Sequence, residues 1–246
     1  MAGIDSYSKL VVHANEVDGS TTPADSSLSP KTLTAVGNAQ VDTAQFPSIT
    51  GATGSLLFDG TGDTFTVPDS ADWYFAAGNF TVDFWVRLNA SVGDMGFITQ
   101  RVDSTNAWAI ARNSTTGLRF IQIEGGATTI DISGSWSPSL NTWYHIAVVR
   151  GWSGNANDYA VCVDGTAIAT GTDATDVADF AAVLSIGTGR GVDTNGWIGE
   201  VRVSKGIARW TANFTPPTAQ YSLDVNMATW YKGIMQPDCS RGRIII

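Results

Sequence analysis

The sequence predicts an all-β sandwich of two antiparallel sheets, and three observations carry that prediction. The stretch Gly78 to Leu88, GNFTVDFWVRL, alternates without a break. Phe80, Val82, Phe84, Val86 and Leu88 fall on one face and Thr81, Asp83, Trp85 and Arg87 on the other, the period of a half-buried strand. Short runs of Val, Ile, Thr and aromatic residues recur between clusters of Gly, Asn, Asp and Ser, and no long segment keeps a helical period. Finally, 246 residues at 43% hydrophobic content suffice for a substantial core within one domain.

Taken in order, the first strand is expected within Tyr7 to Ala14, followed by a long polar loop over Asn15 to Pro30 and a short strand at Leu33 to Val36. Ser55 to Asp59 and Thr64 to Val67 flank the turn Asp59-Gly60-Thr61-Gly62-Asp63 and read as a hairpin, the glycines supplying positive φ. Pro68 to Ala77 is a surface crossing that tucks Trp73 and Phe75 beneath itself and delivers the chain to the central strand. Gly96 to Arg101, Ala107 to Arg112 and Leu118 to Ile123 form a meander, joined by Ile130 to Ser133. Thr142 to Arg150 is a strong strand. Tyr159 to Val163 runs into Asp164-Gly165, the strongest hairpin signal in the chain, and returns through Ala167 to Thr170. Val183 to Ile186 and Trp197 to Val203 complete the set.

Charge and composition exclude several classes. A net charge of −9 leaves no basic stripe to neutralise phosphates, so nucleic acid is not an expected partner. No stretch approaches membrane-spanning length, and MAGIDSYSKLVVHANE lacks the pattern of a secretory signal, so synthesis and folding in the cytoplasm are expected. Cys162 lies inside a strand and reads as a buried thiol, with a disulfide to Cys239 as the lesser alternative.

The succession SLLFDGTGD, GNFTVDFWVRL, LNTWYHIAVVR, VCVDGTAIAT, LSIGTG and GWIGEVRVSKGIARWTANFTPP resembles the laminin-G-like branch of the concanavalin A-like lectin/glucanase superfamily. The resemblance spans roughly Ser8 to Tyr221, and the segment from Ala208-Arg209-Trp210 to Pro217 is similar to copies in bacteriophage and bacterial surface proteins. It implies a two-sheet antiparallel jelly roll over residues 1–221, followed by a C-terminal tail over 222–246. Several relatives bind calcium through acidic residues and carbonyls at sheet edges. Similar sequences often carry Asp before the Glu of the penultimate strand; here the pair is Gly199-Glu200, which weakens that expectation. No metal site is assigned: Asp18, Asp59 and Asp63 remain as calcium candidates, against turn chemistry as the simpler reading.

The superfamily includes glucanases, so catalysis must be weighed. A retaining glycosidase needs two carboxyl groups roughly 5 Å apart, yet no Glu-x-Asp-x-Glu run occurs, and Glu16, Glu124 and Glu200 each lack an acidic partner two residues away. His13 and His145 come with neither nucleophile nor ligand spacing, and Gly187-Thr188-Gly189-Arg190-Gly191 opens no helix and reads as a turn. A non-enzymatic protein with no catalytic residues is expected. Asp83, Trp85, Arg87, Trp143, His145, Glu200 and Arg202 occupy alternate strand positions and suit cross-strand pairing, with sugar contact as the alternative. Trp108, Trp136 and Trp152 lie at or near strand ends and are the candidate glycan contacts.

The tail, SLDVNMATWYKGIMQPDCSRGRIII, is too apolar for a solvated linker. Trp230, Tyr231, Ile234, Ile244, Ile245 and Ile246 are expected to form an assembly interface, by strand addition or by burial of the terminal isoleucines. The expected function is that of a virion component, a capsid decoration or a tail or fibre protein, with other virion proteins and further copies of itself as partners. The alternative is a soluble or cell-surface carbohydrate-binding module whose partners are cell-surface glycans.

Overall fold

A computed structural model describes residues 3–89 and 93–223. Among them, 17 strands form in chain order. They are β1 (Ser8–Val12), β2 (Thr34–Val36), β3 (Gln40–Asp42), β4 (Ser55–Asp59), β5 (Thr64–Val67), β6 (Phe80–Leu88), β7 (Met95–Arg101), β8 (Ala107–Asn113), β9 (Gly117–Glu124), β10 (Ala127–Gly134), β11 (Trp143–Arg150), β12 (Asp158–Val163), β13 (Thr166–Thr172), β14 (Leu184–Ile186), β15 (Thr188–Gly189), β16 (Val192–Asp193) and β17 (Asn195–Lys205). The back sheet has eight strands, ordered β13-β12-β11-β6-β17-β4-β3, with β1 also paired to β17; the front sheet has seven, ordered β10-β9-β8-β7-β14-β5-β2. All pairings within the two sheets are antiparallel, and together they make a two-sheet sandwich of the kind the resemblance implies.

β6 sits in the middle of the back sheet, between β11 and β17. Its five apolar side chains are fully buried in the main core, each contributing about 1.5–3 kcal/mol of transfer free energy. Phe80 stacks on Phe75 with ring centroids 4.3 Å apart and meets Phe120 at 5.5 Å, so the crossing before β6 does cover its own aromatics. The β7–β10 meander and the β12–β13 hairpin form as the sequence predicts. Asp164 and Gly165 have φ of 48° and 77°, the two left-handed residues that a tight hairpin of matching twist requires.

Ser55 to Asp59 and Thr64 to Val67 do not form the expected hairpin. β4 pairs with β17 and β3 in the back sheet, whereas β5 pairs with β14 and β2 in the front sheet. The turn between them is a crossing from one layer to the other, and the chain makes a second crossing from β2 to β3. Asp63, 1% exposed, ties the two together: its carboxylate accepts hydrogen bonds from the Asn38 amide at 2.8 Å and the Asp59 amide at 3.0 Å. A Cβ on Gly37 would lie 2.4 Å from that carboxylate, so the second crossing requires glycine there. Phe58 and Phe65 meet edge to face across the corner.

After β17 the chain turns back over the outer surface of the back sheet. Ala208, Trp210 and Phe214 pack on Ala147, Val149, Trp152, Ala160 and Cys162, and the rings of Trp210 and Phe214 stack at 3.9 Å. Arg209 grips Asp5 through two hydrogen bonds of 2.7 Å, and Ile4 pairs with Leu223. Residues 206–221 thus form a strap over part of this surface. The expected interface residues Trp230, Tyr231, Ile234, Ile244, Ile245 and Ile246, and also Cys239, lie outside the described residues. Cys162 is a buried free thiol.

Candidate functional site

The two outer surfaces of the sandwich differ. Under the strap, the charged positions of the back sheet are engaged with one another. Arg202 donates to Asp83 through Nε at 2.9 Å and Nη2 at 3.4 Å, Tyr221 donates its hydroxyl to the same carboxylate, and the Arg202 guanidinium lies 3.7 Å from the Tyr221 ring centroid. His145 Nε2 stands 3.5 Å from Asp83, too long for a strong hydrogen bond but within reach of its charge. Burial pushes the Asp83 carboxyl up, but Arg202, His145 and Tyr221 outweigh it and hold it below the ordinary range. Glu200, 1% exposed, accepts from the Tyr221 amide at 2.6 Å and faces His13 Nδ1 at 2.9 Å. It sits at a bulge with φ of 49°, which aims its carboxylate at the strap. Arg87 lies over the Trp197 ring at 4.6 Å. Asp83, Glu200 and Arg202 are thus taken up by contacts within the protein.

The outward side chains of the front sheet are also buried, but two hollows open along this surface. Ala107, Ala109 and Ala111 alternate outward along β8, and Arg119, Ile121 and Ile123 along β9. The register sets Ala109 against Ile121 and Ala111 against Arg119, giving a buried apolar floor with an arginine at one end. The hairpin of β15 and β16 folds over β7 onto this floor, where a Cβ on Gly96 would come within 1.8 Å of the Gly189 nitrogen. Thr194 fixes the base of the hairpin by donating its hydroxyl to the Gly96 carbonyl at 2.6 Å. Arg190, at the tip with φ of 56°, stands between two hollows. One, of about 230 Å³, is lined by Asp94, Ala111, Arg112, Asn113, Arg119, Gly189, Arg190 and Val192; the other, of about 60 Å³, by Arg101, Asp103, Ser104, Ala107, Ile123 and Arg190. Polar walls around small apolar patches, Ala111 and Val192 in one hollow and Ala107 and Ile123 in the other, are suited to a polyhydroxylated ligand held through its oxygens.

Known proteins share this sandwich fold. The laminin G-like family model described as the concanavalin A-like lectin/glucanases superfamily matches residues 59–209. The chain belongs to this superfamily. Among solved structures, domain 4 of an extracellular arabinanase from Geobacillus stearothermophilus, determined with arabinotriose, superposes with a TM-score of 0.60 at 15% identity, covering 85% of this chain and 95% of that one. The binding domain of botulinum neurotoxin DC, determined with rat synaptotagmin II, gives 0.58 at 16% identity, covering 83% and 49%. The same domain determined with SialylT gives 0.58 at 15% identity, covering 94% and 52%. This chain therefore spans about half of the neurotoxin domains. Comparison with curated protein sequences finds no match.

Within this lectin-like frame, the three tryptophans expected at the surface are buried, which corrects the reading of them as exposed loop aromatics. Trp108 is fully buried between Phe75 and Phe120, and its indole donates to Gln100 Oε1 at 3.1 Å. It is the second residue of β8 and faces inward, opposite Gln100, so nearness to a strand end gave it no access to solvent. Trp136 is 8% exposed and packs on Phe97 and Tyr144. Trp152 is 7% exposed, under the strap, although it borders a hollow of about 370 Å³ with Asp158, Thr170 and Thr172. The residues of the front-sheet trough were not singled out as a site from the sequence. The available signal was the Ala-x-Ala-x-Ala pattern of AWAIARN together with a turn that carries arginine.

The acidic residues considered for calcium are occupied by amides. Asp18 accepts from the Thr43 amide at 3.1 Å, Asp59 from the Thr61 amide at 2.8 Å, and Asp63 ties the two crossings. Among the described residues, no group of three or more His, Cys, Asp or Glu side chains is arranged to hold a metal, and no helix is long and apolar enough to cross a membrane.

Proposed function

We propose that the protein is a non-enzymatic adhesion module, a lectin-like sandwich that binds a glycan in the trough on the outer surface of its front sheet. The observation that carries this reading is the hollow of about 230 Å³ on the front sheet, walled by Arg112, Asn113, Arg119 and Arg190 around Ala111 and Val192. Two arguments support a binding rather than a catalytic role. A glycosidase needs a carboxylic acid kept protonated near neutral pH beside a second carboxylate. Asp94, at the trough, is instead held below the usual carboxylate range by its hydrogen bonds to Ser114. The similarity to a domain determined with arabinotriose and to one determined with SialylT supports a sugar as the ligand class.

The setting we propose is a virion, with the sandwich displayed as a decoration or as part of a tail or fibre, and with residues 222–246 docking on other copies or on neighbouring virion proteins. What supports it is the similarity of the Ala208 to Pro217 segment to phage copies and the apolar composition of the tail. The test of the binding reading is a glycan array probed with the full chain and with Val192→Trp, which fills the larger hollow from its half-buried rim. Binding by the native chain that is lost in a folded Val192→Trp variant supports it; a blank array, or binding unaffected by the substitution, overturns it. Release of reducing ends from any polysaccharide would overturn the non-enzymatic part.

A further inference from the structure

We infer that the trough selects an acidic glycan, one bearing carboxylate or sulfate groups, and that Arg119 and Arg190 hold the acid group. This inference rests on the glycan-binding reading above and adds its chemical class. Four of the chain's 14 basic residues, Arg101, Arg112, Arg119 and Arg190, line the two hollows, in a protein whose net charge is −9. The carboxylates that share this surface are Asp94, Asp103 and Asp131. Two of them accept loop amides: Asp94 from the Ser114 amide of the β8–β9 turn at 2.7 Å, and Asp103 from the Thr105 amide at 2.7 Å and the Asn106 amide at 2.9 Å. Amide donors at a carboxylate disperse its charge and weaken its pull on a neighbouring cation.

Arg119 is the decisive residue. It is only 8% exposed, yet its contact with Asp131 is a single one at 3.4 Å, well short of the paired, close geometry that a guanidinium and a carboxylate prefer. Its Nε finds no hydrogen-bond partner among the described residues, and neither does the Nε of Arg101. A buried guanidinium with a donor left over is costly unless something accepts from it. The planar fork of arginine fits the two oxygens of a carboxylate or sulfate better than it fits a single hydroxyl.

Arg190 adds a second, independent sign. Tight hairpin turns of this kind favour Asn or Gly at a position with φ near 56°, and arginine is disfavoured there. Its side chain is exposed yet crowded: desolvation first, then repulsion from Arg119, lowers its pKa below the ordinary arginine value, against the opposing pull of Asp131 and Asp94. An anion between Arg190 and Arg119 would relieve that repulsion.

The test uses the full chain and three soluble polymers of similar length: polysialic acid for carboxylate, dextran sulfate for sulfate, and dextran as the neutral reference. Binding to at least one acidic polymer about tenfold or more tighter than to dextran is expected, as is weakening with salt. Which acidic polymer binds tells carboxylate from sulfate. Arg190→Asn places a turn-favoured residue at the tip, so it is expected to keep or raise the melting temperature while losing about tenfold in affinity for the acidic polymer. Arg119→Gln should act in the same direction, and Lys9→Gln, an equal charge change on the other sheet, should leave affinity within about twofold. Equal affinity for dextran and the acidic polymers, with Arg190→Asn unchanged, overturns the acidic selectivity and leaves glycan binding standing. Equal losses for Arg190→Asn and Lys9→Gln overturn it as well, since that would be diffuse charge attraction.

Discussion

Replacing Arg202 by Met should be among the most damaging single changes in the molecule, and the structure allows the loss to be worked out. The side chains of Arg202 and Asp83 are 1% and 0% exposed, and they share two hydrogen bonds, at 2.9 and 3.4 Å. Arg202→Met preserves volume but leaves the Asp83 carboxylate buried without its cation, held only by Tyr221 and a distant His145. Breaking one side of a buried ion pair costs about 3–5 kcal/mol. Taking about 4 kcal/mol at roughly 2–4 °C per kcal/mol for a domain of this size, the melting temperature should fall by about 8–16 °C. The loss should be largely repaired by Asp83→Leu, Arg202→Met and Tyr221→Phe together, since the triple change leaves neither an orphaned charge nor an orphaned hydroxyl. pH provides a second readout. The folded pKa of Asp83 is depressed, so its contribution is fully present above the unfolded value of about 3.9 and is lost as pH falls through the folded value. The native protein should therefore lose stability below about pH 4 more steeply than the triple variant. Thermal and urea unfolding across pH 2–7 would measure both effects. A drop under about 1 kcal/mol for Arg202→Met, or a triple variant no more stable than the single, would refute the account.

Other expectations follow from burial and occupancy. Trp108→Ala should destabilise the fold by about 3–5 kcal/mol, because it empties the space between Phe75 and Phe120; a change in glycan affinity without a loss of stability would contradict its core placement. In a Cys239→Ser background, Cys162 should resist thiol reagents until the protein unfolds, because burial pushes its pKa up to about 12, and labelling of the native state at neutral pH would refute this. Chelators should leave the melting temperature unchanged, because the Asp18, Asp59 and Asp63 carboxylates already accept backbone amides; a calcium-restored drop would show that one of them is a ligand.

Much of the fold was legible because it rests on local patterns. The alternation in β6 needs no knowledge of its partners, and Asp164-Gly165 carries its own turn chemistry. The crossing at Asp59 to Asp63 was not legible, since a hairpin and a passage between layers use the same glycines and aspartates. What distinguishes them is the hydrogen bond from Asn38, 25 residues away, to Asp63. β3 escaped notice because three residues are too few to show a period. The tryptophans misled for a related reason. Position near a strand end says nothing about which face a side chain takes, and the strap that covers Trp152 comes from residues more than fifty positions later. The trough was hidden more deeply still. It depends on the pairing of β8 with β9, which brings Ala111 beside Arg119, and on a hairpin that reaches back from Gly189 to Gly96.

The place of β17 in the back sheet has a consequence for how the protein is made. This strand lies between β6 and β4 and also carries β1, so none of the three gains that neighbour until it arrives. Val12 pairs with Val201, and at ribosomal speeds of about 5–20 residues per second roughly 10–40 s separate their synthesis. During that interval Leu10, Val11 and Val12, all fully buried in the finished sandwich, have no partner strand. Lys9 and His13 flank this apolar run and place polar groups beside it while it waits. The front-sheet meander, by contrast, is made of neighbours in sequence and can form as it emerges. Folding should thus begin at the front sheet during synthesis and finish at the back sheet when β17 inserts, with the strap the last piece laid down.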